Sequence, residues 1–152
     1  MTDFDSDLDL DVDAPDESDG PFVADLDVRF RDLDVMGHVN NAVYVSYLEQ
    51  ARLEYFAAVV DLDVDAPGNV VANLEIDYER SIEIDSDVRV TLWVDRLGET
   101  SFRMRYELRD GEETAATATT TQVVVGDDGS PRSVPDEWRE RIVAFEGDRV
   151  DV

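Results

Sequence analysis

The sequence predicts an α+β domain in which an antiparallel sheet of about five strands wraps around one long central helix. Two observations lead to this prediction. After position 68, three segments alternate apolar and polar residues with a period of two, which is typical of strands with one buried face, and a fourth is rich in Thr and Val. One earlier segment, over 41–60, spaces its apolar residues three and four positions apart, as an amphipathic helix does.

The predicted elements follow one another along the chain. A first strand is expected from Phe22 to Arg31, then a loop over 32–40 and the long helix. The three alternating segments are 74–79, 88–95 and 102–109, and the run rich in Thr and Val is 114–125, with turn residues at 97–100, 110–111 and 126–129. A short helix near 135–145 closes the domain, with Pro135 in its first turn, where a missing N–H costs nothing.

The helix over 41–60 is the only large element that could cover the apolar face of the sheet. Its stripe consists of Tyr44, Tyr47, Leu48, Ala51, Tyr55 and Val59. Aromatic residues at helical spacing are more often core than substrate contacts, so Tyr44 and Tyr47 are first of all predicted core residues.

The chain ends are acidic. Asp alternates with other residues over 1–20, and this composition predicts a solvated, disordered tail. The spacing lacks the central Gly and closing Glu of a calcium-binding loop. We therefore expect one domain over 21–147, followed by a short acidic tail over 148–152.

The charge is extreme. The 152 residues include 38 acidic and 13 basic ones, every basic residue is Arg, and the formal net charge is -25. Such a chain is repelled by nucleic acid and by anionic lipid, so neither is expected as a partner. The hydrophobic fraction of 43% still provides a core. An excess of Asp without any Lys resembles the composition of proteins from extreme halophiles. Molar salt screens the self-repulsion of such proteins, because the Debye length is then only about 3 Å.

Several classes of chemistry are disfavoured. Without Cys there is no disulfide or thiolate nucleophile, and with one His a zinc site would depend on carboxylates. No metal or cofactor is therefore expected. No apolar run approaches the roughly 20 residues that cross a membrane, and no basic-then-apolar signal peptide is visible, so a cytoplasmic location is expected.

The residues that could carry chemistry lie between the first strand and the long helix. They are Asp32, Asp34, Gly37, His38, Asn40 and Asn41. A helix N-terminus presents unpaired N–H groups and a positive dipole end, which suit an oxygen that gains charge during acyl transfer. A nearby carboxylate can attack an acyl carbon or take a proton from water.

Each of these residues also has a purely structural interpretation. Asp34 could stabilise the turn or cap the helix, and His38 could be a structural histidine. Asn40 or Asn41 is an adequate N-cap whether or not the site is catalytic. Gly37 most simply permits a positive φ or a close backbone approach.

A family resemblance extends this interpretation. The stretch Asp-Leu-Asp-Val-Met-Gly-His-Val-Asn-Asn-Ala-Val-Tyr, residues 32–44, resembles the signature of the 4-hydroxybenzoyl-CoA thioesterase family and that of the plant acyl-carrier-protein thioesterases. Ile76 to Arg80 and Leu97 to Ser101 fit as well, so the resemblance covers roughly 24–145. The resemblance implies a hotdog fold. It also implies a homodimer or homotetramer in which two sheets join edge to edge and the active sites lie at the dimer interface.

The resemblance also implies residue roles. By this resemblance, Asp34 is the catalytic carboxylate and acts as nucleophile or as general base. The backbone N–H of Asn41 is similar to the family's oxyanion donor. His38 matches the histidine that the plant enzymes use near the thioester. The candidate substrate-binding residues are Gly37, Asn40 and Tyr44.

The sequence departs from the plant pattern at two places. Met36 stands where those enzymes have an Asn, and Ser81 stands at the position of their Glu, with Glu79 and Glu83 nearby. The polar network of the plant enzymes is therefore incomplete here.

The predicted function is hydrolysis of an acyl-CoA thioester to the free acid and CoA. A non-catalytic acyl-CoA-binding protein is the alternative from another class. A hotdog hydratase is disfavoured, because such enzymes carry Asp and His five apart, whereas Asp34 and His38 are four apart. Arg103, Arg105 and Arg109 share one polar strand face, which could contact CoA phosphates but more simply faces solvent.

Overall fold

The computed structural model describes residues 20–62 and 66–152. The prediction of an acidic N-terminal tail over 1–20 therefore lies, except for Gly20, outside the described residues. The elements are β1 (Phe22–Leu26), α1 (Asn41–Tyr55), β2 (Gly68–Tyr78), β3 (Val88–Leu97), β4 (Ser101–Asp110), β5 (Glu113–Val125) and α2 (Asp136–Glu146). A π-helical turn, Phe56–Val60, extends α1, and short 3₁₀ turns form at Phe30–Asp32 and Gly147–Arg149.

The five strands form one sheet in the order β1-β3-β4-β5-β2, and every neighbouring pair is antiparallel. This confirms the predicted α+β architecture with one long helix. The strands β1 and β2 are the edges of the sheet. The site described below lies where β2 ends and α1 begins.

The core lies between α1 and the apolar face of the sheet. The alternating residues predicted to face inward on β3 and β4 are buried, namely Val88, Val90, Leu92, Val94, Phe102, Met104, Tyr106 and Leu108. All six residues of the predicted helical stripe are buried against them. Burying a large apolar side chain contributes about 1.5–3 kcal/mol, so this interface is a main source of stability.

The first strand is shorter than predicted. It ends at Leu26 instead of Arg31, and Phe30 is exposed within a 3₁₀ turn. The reason is the length of its neighbour: Leu26 pairs with Val88, the first residue of β3, so later residues have no partner strand.

The edge strand β2 is longer than predicted, because it begins at Gly68 and not at position 74. Its register against β5 shifts between Val71 and Asn73. A bulge of this kind interrupts the two-residue alternation, so the first half of the strand carries no clear periodic pattern.

The C-terminal helix is joined to the core by a buried carboxylate. Glu146 accepts hydrogen bonds at Oε2 from the Tyr55 hydroxyl (2.6 Å) and the Val94 N–H (2.8 Å), and at Oε1 from Arg149 Nε (2.8 Å). Burial and this carboxylate raise the pKa of Tyr55, which keeps the phenol a donor. Beyond the helix, Asp151 exchanges backbone hydrogen bonds with β3.

None of the helices within residues 20–62 and 66–152 is long and apolar enough to cross a membrane.

Candidate functional site

A small hairpin over 33–39 carries the predicted catalytic carboxylate. Leu33 and Val39 pair across its base, and the Asp34 N–H donates to the His38 carbonyl at 2.7 Å. The Gly37 N–H donates to the Asp34 carbonyl at 3.1 Å. Gly37 has a φ of 81°, which is costly for any residue with a Cβ, so the tight turn requires the glycine.

The side chain of Asp34 is held by its own turn. Its Oδ1 accepts hydrogen bonds from the backbone N–H groups of Met36 (2.8 Å) and His38 (3.1 Å). Its Oδ2 receives none from any residue that the structure describes, and the residue is exposed. The structural role foreseen for Asp34 is thus real, yet one carboxylate oxygen stays available.

The N-terminus of α1 leaves one backbone donor open. Asn40 is the N-cap: its Oδ1 accepts from the Ala42 N–H and its carbonyl from the Val43 N–H, both at 2.9 Å. The N–H of Asn41 donates to no group in the described parts of the chain. Since it stands at the positive end of the helix dipole, it can stabilise a nearby negative oxygen.

Two tyrosines fasten this helix end to the end of β2. The Tyr44 hydroxyl donates to the Arg80 carbonyl at 2.9 Å, and the Tyr78 hydroxyl donates to the Asn41 carbonyl at 2.8 Å. Their rings meet edge to face, with centroids 5.0 Å apart. Burial raises the pKa of Tyr44, which keeps its hydroxyl protonated as a donor.

These groups surround an open pocket of about 290 Å³. It is lined by Asp34, His38, Val39, Asn41, Tyr44, Tyr78, Glu79, Arg80 and Ser81. The structure therefore brings together four of the six predicted site residues. The other two, Gly37 and Asn40, shape the turn and cap the helix beside the pocket, and their contact with substrate stays a prediction.

The sequence reasoning missed what the end of β2 contributes. Tyr78 and Arg80 form one wall of the pocket, beside Ser81 and Glu79. The one available signal was the aromatic residue closing the alternation of β2, because Tyr78 follows Leu74 and Ile76 on the same strand face. Its meeting with α1 depends on the sheet topology.

The arginines considered for CoA phosphates are already engaged. Arg103 and Arg105 both donate through Nε to Asp95, and Arg109 donates to the Glu112 carbonyl. Burial of Asp95 opposes its ionisation, but the two arginine hydrogen bonds outweigh that effect and lower its pKa. This pattern favours the solvated-face interpretation.

Over residues 20–62 and 66–152, no three His, Cys, Asp or Glu side chains lie together so that they could hold a metal ion.

Comparison with known proteins identifies the family. Residues 28–142 match the thioesterase-like superfamily. The chain belongs to that superfamily. The match includes the hairpin, α1 and the whole sheet after β1. Together with the solved structures described next, it confirms the hotdog fold.

Solved thioesterase-superfamily structures share this architecture. A thioesterase of Thermus thermophilus, in complex with coenzyme A and Zn, is 39% identical, with a TM-score of 0.76 over 86% of this chain and 97% of that one. A thioesterase superfamily structure from Jannaschia sp. CCS1 is 28% identical, with a TM-score of 0.75 over 86% of each chain. The uncharacterized protein YsmA of Bacillus subtilis strain 168 is 27% identical over 125 residues, covering 80% of this chain and 85% of YsmA.

Proposed function

We propose that this superfamily member hydrolyses an acyl-CoA thioester to the free acid and CoA. The observation that supports the proposal most is the pairing of two unsatisfied groups in one pocket. Asp34 offers a carboxylate oxygen, and Asn41 offers a backbone N–H at a helix N-terminus. The similarity to a Thermus thioesterase that binds coenzyme A supports the choice of thioester.

The proposed chemistry needs only these groups and water. Asp34 either attacks the acyl carbon, forming an anhydride that water opens, or takes a proton from the attacking water. In both routes the C–S bond breaks, the acyl group gains the oxygen of water, and CoA leaves as the thiol. The Asn41 N–H holds the oxyanion, and His38 orients the thioester from the same pocket. A positioned base is worth about 10²–10⁴ in rate and an oxyanion donor about 10²–10³.

We also propose that the working form is a homodimer or homotetramer joined along β2. This strand is an 11-residue edge on which Val70, Val71 and Tyr78 are exposed. Unprotected edges of this length pair readily with another strand. The pocket, at about 290 Å³, is open and lies just below the usual range for ligand sites, about 300–1,000 Å³, so a second copy beside Tyr78 would supply a further wall.

We further propose that the protein works in a cytoplasm of molar salt. The formal charge of -25 supports this, because self-repulsion destabilises a compact state unless ions screen it. Raising KCl from 0.1 M to about 2 M should raise the free energy of unfolding, measured by urea denaturation. Stability that falls or stays level with added salt would remove this part of the proposal.

The test is release of thiol from a panel of short, long and aromatic acyl-CoAs in molar KCl. The native chain is compared with Asp34→Asn, which keeps the size and the Oδ1 acceptor of the side chain but cannot attack or take a proton. We expect turnover by the native chain and a loss of about 10³-fold or more in the variant. Circular dichroism and the unfolding midpoint serve as the folding control.

Other outcomes have distinct meanings. Turnover that survives in a folded Asp34→Asn variant would exclude Asp34 as the reacting group. A folded oligomer that binds acyl-CoA without releasing thiol would be the non-catalytic binding protein. Hydration of an enoyl-CoA without thiol release would identify a hydratase.

A further inference from the structure

The carboxylate of Asp32, two residues before Asp34, is tied to α1. Its Oδ2 accepts hydrogen bonds from the Tyr47 hydroxyl at 2.7 Å and from the Arg29 N–H at 2.8 Å. Its backbone carbonyl accepts from the Asn40 N–H at 2.8 Å. One residue thus joins the start of the loop, the end of the loop and the second turn of the helix.

The two aspartates line different pockets. Asp32 lines a pocket of about 470 Å³ together with Tyr47 and Gln50, and it is absent from the lining of the pocket that holds Asp34. Asp32 therefore does not touch the place where the thioester is proposed to react. Any effect of Asp32 on turnover has to pass through the position of its neighbours.

The path from Asp32 to the reacting carboxylate is short. The hairpin of Asp34 begins at Leu33, the next residue, and closes at Val39, next to the Asn40 that Asp32 binds. The two N–H groups that hold Asp34 Oδ1 belong to this hairpin. Tyr47, which anchors Asp32, is 7% exposed in the core, so it is a rigid support.

We propose that Asp32 is a positioning residue, which through Tyr47 fixes the hairpin that presents Asp34. This inference rests on the proposed function. Its working property is hydrogen-bond acceptance by one oxygen, and not negative charge. Asp32 Oδ1 receives no hydrogen bond from the described residues, so an amide NH₂ at that place displaces no partner.

That distinction defines the variants. Asp32→Asn keeps an acceptor oxygen for both Tyr47 and Arg29, whereas Asp32→Ala removes it. Asp27→Ala is the matched control, because Asp27 is exposed and lines the same pocket as Asp32. Its substitution also removes one negative charge. Each full-length variant is assayed in molar KCl for kcat and KM, and for backbone hydrogen exchange at Met36 and His38.

We expect Asp32→Ala to lower kcat by about 10- to 100-fold with KM changed far less, because misplacing a reacting group by about 1 Å costs about that much. Exchange at Met36 and His38 should accelerate in the same variant. Asp32→Asn should restore kcat to within about threefold of the native chain and restore slow exchange. Asp27→Ala should match the native chain in both readouts.

Two results would overturn the inference: native kcat and native exchange in Asp32→Ala, or an Asp32→Asn variant as impaired as Asp32→Ala. Absence of turnover in the native chain would instead overturn the proposed function. The exchange data would still decide whether Asp32 fixes the Asp34 hairpin.

Discussion

Asp32 and Asp34 differ by two positions in the chain and carry the same side chain, yet their surroundings are opposite. Asp32 is bound from outside its turn by a buried tyrosine of α1. Asp34 is bound only by N–H groups of its own hairpin, and it lines the pocket that also holds Asn41. The first arrangement fixes a loop in space, and the second presents a group for reaction.

The difference shows how two nearby carboxylates can divide the work. Each carboxylate accepts two hydrogen bonds at one oxygen and none from the described residues at the other, so the number of hydrogen bonds does not distinguish them. What distinguishes them is location: Asp34 lines the pocket that holds the open N–H of Asn41, whereas Asp32 lines another pocket. Each of the following predictions tests one side of this comparison.

After the loss of Asp34 itself, the largest expected effect is on the Asp34 side, at the open backbone donor of Asn41. Asn41→Pro deletes that N–H at the first helical position, where proline is well tolerated. The preceding residue, Asn40, already has φ -59° and ψ 138°, which suits a residue before proline. We expect kcat to fall about 10²–10³-fold. Asn41→Ala keeps the N–H and should retain most activity; equal activity in the two variants would place the oxyanion elsewhere.

The next effect is on the Asp32 side, at its anchor. Tyr47→Phe removes the donor to Asp32 but preserves the ring in the core. A lost hydrogen bond to a charged group costs about 1–3 kcal/mol of stability, and a loosened hairpin should lower kcat about 3- to 10-fold. Urea unfolding and steady-state kinetics measure both. A variant with lower stability but native kcat would show that this bond serves the fold alone.

A third prediction concerns the turn that carries Asp34. Gly37→Ala forces a residue with a Cβ into a φ of 81°. We expect this change to lower the free energy of unfolding by about 1 kcal/mol or more. Gly129 has the same φ of 81° far along the chain, in the turn after β5. Gly129→Ala should therefore cost similar stability without lowering kcat, whereas Gly37→Ala lowers both. A loss of kcat in both variants would mean that stability, and not the turn, limits turnover.

The smallest effect comes from a third aspartate, whose charge is fully paired. The pKa of Asp95 is lowered, because hydrogen bonds from Arg103 and Arg105 outweigh its burial. Its contribution to stability is therefore complete above the unfolded value of about 4 and is lost as pH falls through the lower folded value. The free energy of unfolding is measured at pH 6 and at pH 3 in molar KCl. Between these two pH values it should fall by about 1 kcal/mol more in the native chain than in Asp95→Asn. Parallel pH dependence in both proteins would contradict this pairing.

The sequence predicts most of the fold and half of the site for physical reasons. A buried strand face and a buried helix face each require apolar residues at a fixed period, so the spacing of apolar residues alone predicts β3, β4 and α1. Asp34, His38 and Asn41 meet in one pocket because they lie within one turn and the following helix start. Local chain geometry almost forces that encounter.

The remaining features depend on contacts between distant residues. The bond from Tyr47 to Asp32 and that from Tyr78 to Asn41 join separate elements, so no spacing rule indicates them. The shortened β1 reflects the length of β3, and the longer β2 is hidden by its bulge. Both require knowledge of which strands are neighbours.

The most direct test of the central claim compares Asp34→Asn with Asp32→Asn in one preparation and one assay. Both changes remove one negative charge from the same loop and leave an acceptor oxygen, so charge and folding are matched. We predict that Asp32→Asn keeps kcat within about threefold of the native chain, while Asp34→Asn loses about 10³-fold. Equal losses in the two variants, or a greater loss in Asp32→Asn, would contradict the division of roles between these two carboxylates.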